Sequence, residues 1–292
     1  MLKLLQIEVY KIFKRPRTYI AFAVIGFIIL LIQVALKFGG EEYAGLMMSG
    51  LKESFEVPTD EILNGYMVCY IVLNLLLVHV PILVALIAGD MISGEANMGT
   101  LRLLITKPVS RAQLLLVKFA AACIYTILLL IWVAVLSLLV SILLFGTNQL
   151  FVPREFGVNI ISTTDIFWRY LAAFVFASIG LVTVASLAFM LSAFADNSIG
   201  PIVATVCIII VFTILTQMQI PFYDETVKPY LFTTHMLGWK GFFYVKGDDG
   251  VTVDGSIENF RGIVRSGVIL LAYSALFISV AIVYFRKKNI MS

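Results

Sequence analysis

Apolar residues gather into six long runs, and most polar residues lie in the segments between them. Each run has about the 20 residues that an α-helix needs to cross the hydrocarbon core of a bilayer. The runs show no alternation of polar and apolar positions, so the strands of a membrane barrel are not expected. The pattern predicts an all-α membrane protein with one domain, residues 1–292, and six spans at about 18–36, 65–88, 114–145, 166–194, 200–220 and 262–285.

Composition supports this interpretation. The chain is 61% hydrophobic and 13% charged, whereas soluble domains are about half apolar and about a quarter charged. The first run is too long for the core of a cleaved signal peptide, so we expect it to be retained. Cys69, Cys123 and Cys207 lie inside apolar runs without paired spacing and are interpreted as packing residues. The net charge of +3 is too small to suggest a nucleic-acid partner.

The distribution of basic residues predicts the orientation of the spans. Placing both termini and the loops after the second and fourth spans in the cytoplasm puts twelve basic but only four acidic residues inside, as the positive-inside rule requires. The chain is therefore predicted to be a multi-pass protein of a cell membrane. A bacterial inner membrane fits the retained first span and the basic inner loops.

The first sixteen residues have the pattern of an amphipathic helix. Pro16 is expected to end this helix, and the prediction is an interfacial helix whose lysines contact anionic headgroups. The alternative is a simple cytoplasmic extension of the first span. The apolar positions at helical spacing are Leu2, Leu5, Val9, Ile12 and Phe13, and Lys3, Lys11 and Lys14 lie on the other side.

The loop after the second span predicts a short cytoplasmic helix between two turns. Gly99 permits a turn, Thr100 can cap a helix that starts at Leu101, and Pro108 ends that helix. Ser110 and Gln113 then form a capping box that opens the third span. An apolar face on such a helix suits the docking of a soluble partner, but it would equally suit a helix that lies on the headgroups.

The same loop contains the run Glu-x₃-Gly-Thr-Leu-x-Leu-Leu-x₃-Pro-x-Ser-Arg, from Glu95 to Arg111, followed by Lys118. This run resembles the signature of the ABC-2-type permeases, the membrane subunits of ATP-binding-cassette exporters. The resemblance implies that the short helix is a coupling helix seated in a groove of the ATPase. It assigns the coupling segment to Glu95, Gly99, Thr100, Leu101, Arg102, Leu104, Pro108 and Arg111, and a second cytoplasmic contact to Ala195, Asp196 and Asn197.

The resemblance also implies partners. The chain contains no Gly-x₄-Gly-Lys-Ser/Thr run, so a separate ATPase subunit is expected to bind ATP and Mg, and this chain is expected to bind no cofactor or metal and to catalyse no reaction. Two permease subunits, identical or different, would pair with two ATPase subunits in the membrane lipid. The implied function is a permease subunit that couples ATP hydrolysis to substrate movement, as an exporter.

Polar residues inside the spans are candidates for a translocation path, because they are costly there. The second span carries Tyr70 and Asn74 on one face, then His79, for which a hydrogen bond to a neighbouring helix is the simpler alternative. Gln33 is expected near the outer interface. The centres of the spans lack charged residues, which argues against a stand-alone secondary transporter or channel. An intramembrane enzyme is the third alternative, but neither histidine lies in a metal motif.

Two outer loops are predicted. Residues 39–64 are acidic and suit a short solvated helix, and residues 221–261 are rich in aromatic residues. The aromatic part of the second loop could dip back into the membrane, which would require its backbone to be buried by protein. Lys246 to Gly250 has the composition of a turn.

Overall fold

Six helices in the computed structural model are long and apolar enough to cross a membrane, which confirms the predicted all-α architecture. The structure describes residues 1–47, 63–101, 109–154, 157–218, 226–248 and 251–288. The buried core lies mainly between the second, third and fourth of these helices, where Val84, Leu129 and Val184 have no exposed surface.

The chain begins with the predicted amphipathic helix, α1 (Leu2–Lys14), followed by the first long helix, α2 (Pro16–Met47). Arg15 between them is extended, with φ −86° and ψ 129°. A residue before proline is driven from the helical region, and proline is well suited to the first turn of a helix. This break separates α1 from the first span, so α1 is not a simple extension of it. The helix predicted within 39–64 falls largely on 48–62, outside the described residues.

The second long helix, α3 (Gly65–Ala88), begins at a close contact with the third span. Asn64 caps it by accepting hydrogen bonds from the amides of Tyr66 (3.0 Å) and Met67 (3.1 Å). A Cβ atom on Gly65 would lie 2.6 Å from the Cα of Ile142, so only glycine allows this approach. After α3, a turn leads to the five-residue helix α4 (Ser93–Asn97).

The third span consists of α5 (Arg111–Ala134), a π-helical segment (Val135–Val140) and α6 (Ser141–Phe145). The predicted capping box of Ser110 and Gln113 is present. The π-helical segment was not predicted, and it explains a second difference. Gln33 is fully buried and donates hydrogen bonds to the carbonyl of Leu136 and the hydroxyl of Ser141, both at 2.9 Å. The amide nitrogen thus bonds to protein rather than to the membrane interface, whereas the buried amide oxygen has no hydrogen-bond partner among the described residues.

Two spans and a hairpin follow. Strands β1 (Leu150–Arg154) and β2 (Gly157–Ile161) pair antiparallel, with Val152 opposite Asn159. This hairpin was not predicted from the sequence. The fourth and fifth spans are α7 (Thr163–Phe194) and α8 (Ile199–Gln217), joined by a short connection at 195–198.

The aromatic loop before the last span is folded onto the bundle. It contains a 3₁₀ turn (Lys228–Tyr230), α9 (Phe232–Met236), a 3₁₀ helix (Leu237–Phe243) and the short strands β3 (Gly247–Asp248) and β4 (Val251–Thr252), and α10 (Phe260–Lys287) is the last span. The buried guanidinium of Arg169 in α7 donates to the carbonyls of Phe242 (2.6 Å) and Ser256 (2.8 Å). Protein therefore covers the backbone of this segment, which is the condition under which it could dip back into the membrane. The strands flank the predicted turn, whose residues 249 and 250 lie outside the described residues.

Candidate docking site at the basic end of the bundle

Four parts of the chain meet at one end of the helical bundle, which we call the basic end. They are α1, the connection from Gly89 to Ser110, the connection at 195–198 and the end of α10 at 286–288. Lys11 of α1 contacts Glu95 of the first connection, and Lys288 contacts Ala195 of the second. These are the segments for which a common, cytoplasmic side was predicted.

Four side chains form a closed ring of alternating charge at this end, the charge ring. The ammonium of Lys11 lies 2.7 Å from an oxygen of Glu8 and 3.0 Å from an oxygen of Glu95. The ammonium of Lys118 lies 2.7 Å from the second oxygen of each carboxylate. Each charge thus has two opposite neighbours, and the ring as a whole is neutral. It joins α1, α4 and α5.

Burial makes the charge ring depend on its internal pairing. The side chains of Glu8 and Glu95 are 5% exposed and that of Lys118 is 2% exposed. Burial alone would raise the pKa of Glu8, but the ammonium groups of Lys118 and Lys11 outweigh it and lower that pKa below the ordinary 4.5. Burial also opposes the charge on Lys11, but the carboxylates of Glu8 and Glu95 outweigh it and raise its pKa above 10.5. Both groups are therefore held in their charged forms at neutral pH.

A further buried carboxylate, outside the charge ring, fixes the turn between α3 and α4. Asp90 is 3% exposed, and one of its oxygens lies 2.5 Å from Arg15 and 2.8 Å from Arg17. A Cβ atom on Gly94 would lie 2.4 Å from the other oxygen, so glycine provides the space for this carboxylate. The ends of α1 and α2 are thus attached to the same turn.

Hydrogen bonds attach this turn to the fourth span as well. The hydroxyl of Ser192 in α7 accepts from the amides of Ile92 (3.1 Å) and Ser93 (3.0 Å). The same hydroxyl donates to the hydroxyl of Ser93, which in turn donates to the carbonyl of Gly89 at 2.8 Å. A buried amide without a partner is costly, and one serine satisfies two of them.

The predicted coupling segment divides into a buried base and an exposed tip. Glu95 belongs to the base, and Leu101 is 2% exposed. Residues 97–100 are exposed, and we call them the docking tip; Met98 is its apolar member, at 56% exposure. Gly99 has a φ of +70°, which confirms the predicted turn. Thr100 donates to the carbonyl of Glu95 at 3.3 Å. Arg102, Leu104 and Pro108, and with them most of the predicted coupling helix, lie outside the described residues.

The second predicted contact lies beside the end of the last span. Asp196 is exposed and pairs with Lys288 at 2.7 Å, and the same ammonium contacts the carbonyls of Ala193 and Ala195 at 3.3 Å. Asn197 is exposed, and its side chain accepts from the amide of Ile199. Arg111 donates to the carbonyl of Lys288 at 2.9 Å. It therefore satisfies the carbonyl end of α10, which is a role within the bundle.

The polar residues of the second span separate into two groups. Tyr70 is buried and Asn74 half-buried, and the amide of Asn74 donates to the carbonyl of Tyr70 at 2.8 Å. His79 is exposed and hydrogen-bonds the carbonyl of Leu75 in its own helix, at 2.9 Å. The neighbouring-helix partner considered for His79 is therefore wrong, because a ring at this position reaches back along α3. The three residues do not line one path inside this chain.

Three members of the charge ring were not predicted as site residues. Lys11 was expected to contact headgroups, but it turns inward to Glu95. Glu8 and Lys118 each carried a signal in the sequence, since one is an acid in a basic helix and the other a lone charge in an apolar run. Among the described residues, no three His, Cys, Asp or Glu side chains are grouped to hold a metal ion.

The fold and this site define a multi-pass, all-helical membrane protein with a charge-paired end. The chain belongs to the family described as "Protein of unknown function (DUF2705)", which matches residues 26–291. It is 30% identical over 121 residues to "Uncharacterized protein YhcI" of Bacillus subtilis (strain 168), covering 39% of this chain and 37% of that protein. It is 37% identical over 93 residues to "Probable ABC transporter permease protein NosY" of Stutzerimonas stutzeri, covering 32% and 34%. The matched part is about a third of the length of each relative.

Proposed function

We propose that this chain is the permease subunit of an ABC transporter, an exporter whose separate ATPase subunit docks on the basic end. The observation that carries the proposal is the docking tip: four exposed residues, with Met98 in their centre, on a base that is bound to four helices. The partial similarity to a probable ABC transporter permease supports the same class. In this arrangement the basic end and both termini face the cytoplasm.

The way the tip is supported suits the transmission of motion. The charge ring connects its base to α1 and α5, the arginines on Asp90 connect it to α2, and Ser192 connects it to α7. A displacement of the tip by a docked ATPase would therefore move these helices together instead of bending a loop. Substrate would move between this subunit and a second permease subunit, identical to it or different, within the lipid.

Substitution of Met98 tests the docking without disturbing the base. Glu95 and Leu101 are buried, so changes there would test folding. Met98→Glu places a charge on the tip, and Val253→Glu is the matched control, because Val253 is an exposed apolar residue (48%) in the last part of the aromatic loop. Each protein would be purified from its native host through a tag on the permease, and the chains that purify with it would be identified.

We expect the unmodified chain and Val253→Glu to retain the ATPase subunit and its ATP hydrolysis. Met98→Glu should lower both at least about tenfold, the loss typical of a central interface residue, with an unchanged unfolding temperature. A chain that purifies alone, without ATP hydrolysis in any variant, would contradict the proposal and leave the stand-alone transporter or channel.

A further inference from the structure

An apolar cavity of ≈ 70 Å³ lies inside the bundle, away from the basic end. Its walls come from the central parts of α3 and α7 and the end of α5, and the aromatic loop closes one side with Met236 and Trp239. The wall residues include Leu73, Leu77, Pro81, Ala177, Gly180 and Trp239. Gly180 brings the loop close, since a Cβ atom there would lie 3.2 Å from Met236.

The walls of the cavity decide what it can hold. All fourteen residues that line it are apolar in type, with the indole of Trp239 and the thioether of Met236 as their most polar groups. An ordered water needs two to four polar partners, which these walls do not provide. The medium around the spans is lipid hydrocarbon, so an alkyl chain is the occupant that matches both the walls and the surroundings.

A cation lies beside Trp239, a wall residue from the aromatic loop, although it does not itself line the cavity. The ammonium of Lys240 lies 6.0 Å from the centroid of the Trp239 ring, and Tyr70 packs on the same indole at 5.7 Å between centroids. Burial lowers the pKa of Lys240, and among the described residues no carboxylate forms an ion pair with it. An anion beside Lys240 would stabilise this poorly solvated charge.

We propose that this cavity binds the alkyl chain of an anionic amphiphile, with the chain between α3 and α7 and the anionic head at Lys240. A fatty acid and an anionic phospholipid share this chemistry. The site is separate from the docking tip and requires neither an ATPase nor transport. A test that refutes binding at this cavity therefore leaves the proposed permease function untouched, and the reverse also holds.

Tryptophan quenching provides a local test. The chain has three tryptophans; Trp132 and Trp168 are 40% and 37% exposed on the bundle surface, but Trp239 is 6% exposed. In a Trp132→Phe, Trp168→Phe background, a bromine atom on an alkyl chain quenches Trp239 only by entering beside it. The probes are a fatty acid brominated in mid-chain, the corresponding neutral alcohol in detergent, and an anionic phospholipid with brominated chains in nanodiscs.

Three further variants locate the site. Ala177→Phe fills the cavity, and Val175→Phe adds the same ring to an exposed position of α7 (59%) as its control. Lys240→Gln removes the cation. We expect saturable quenching by the fatty acid. The affinity of the fatty acid should fall at least about tenfold in Ala177→Phe, which fills the cavity, and in Lys240→Gln, which loses a charged hydrogen bond. Val175→Phe should leave the affinity unchanged. The alcohol should bind more weakly and should not respond to Lys240→Gln. Quenching by the phospholipid in nanodiscs would identify membrane lipid as the source of the alkyl chain. A lack of quenching by the phospholipid would identify a free fatty acid as the source.

Quenching that never saturates, or that Ala177→Phe leaves unchanged, would overturn the proposal. So would equal binding of acid and alcohol. Since the tryptophan background removes two indole hydrogen bonds, a photoreactive diazirine fatty acid provides a second measurement on the unmodified chain. Labelling should map to residues 73–81 and 173–181, and labelling confined to the exposed faces of α8 and α10 would equally refute the site.

Discussion

Replacing Lys118 by methionine tests whether the charge ring holds the basic end together. Lys118 is 1% exposed, and its ammonium lies 2.7 Å from one oxygen of Glu8 and one of Glu95. Methionine retains an apolar stem but leaves two buried carboxylates with a single ammonium, that of the part-exposed Lys11. Removal of one partner from a buried ion pair typically costs about 3–5 kcal/mol. A typical domain has only about 5–15 kcal/mol of stability, so the loss should be obvious.

The assay is the free energy of reversible unfolding in mixed micelles, followed by circular dichroism. Lys3→Met removes an exposed cation from the same end and should change it by less than about 0.5 kcal/mol. Glu8→Gln combined with Lys118→Met leaves a balanced pair, Lys11 with Glu95. This double variant should be more stable than the sum of the single changes predicts, by about 1–3 kcal/mol. A Lys118→Met loss no larger than that of Lys3→Met, or strict additivity, would refute the ring as a stabilising unit.

Three further predictions concern the same end. The lowered pKa of Glu8 means that its contribution to stability is complete above pH 4.5 and is lost as pH falls through the folded value. The raised pKa of Lys11 means that its contribution is complete up to pH 10.5 and is lost as pH rises through the folded value. These groups should therefore change the unfolding temperature little between these limits, and the unfolding temperature should drop on acidification, less steeply in Glu8→Gln. Ser192→Ala should cost about 1–3 kcal/mol in unfolding free energy, because it leaves two buried amides of the turn without an acceptor. Ser178→Ala, which loses only a hydrogen bond within its own helix, should cost little. Equal costs would contradict the role of Ser192 as the acceptor for this turn. Gly94→Ala should cost about 1–3 kcal/mol, as overpacking does, because its methyl group would meet a carboxylate held by two arginines, and an unchanged unfolding temperature would show that this turn yields.

The elements that the sequence predicts well are those specified by local chemistry. Pro16 interrupts the helix that precedes it, the Ser110 capping box starts α5, and Gly99 forms a turn with positive φ. Apolar length alone is enough for the spans. The hairpin β1–β2 and the π-helical segment have no comparable local signal. The hydrogen bond from Asn159 of the hairpin to Phe243 joins residues that are 84 positions apart. The hydrogen bond from Gln33 to Leu136 of the π-helical segment joins residues that are 103 positions apart.

The candidate site shows the same division. The exposed tip follows from a turn and a motif within about fifteen residues, but the base of the site was not predicted. Glu8 and Lys118, which pair there, are 110 residues apart. The spacing of apolar residues predicted that Lys11 lies on the polar side of α1, because this spacing describes one helix at a time. Only the packing of α1 against α5 turns that side inward.

The neutrality of the charge ring has a mechanical consequence. If α1 moved away by even a few ångströms, Glu8 would lose Lys118 and Lys11 would lose Glu95, so each of the four charges would keep only one of its two partners in a largely buried environment. The same holds between α4 and α5, where Glu95 pairs with Lys118. A force applied at the docking tip would therefore be resisted within the basic end and passed to the spans that are attached to it.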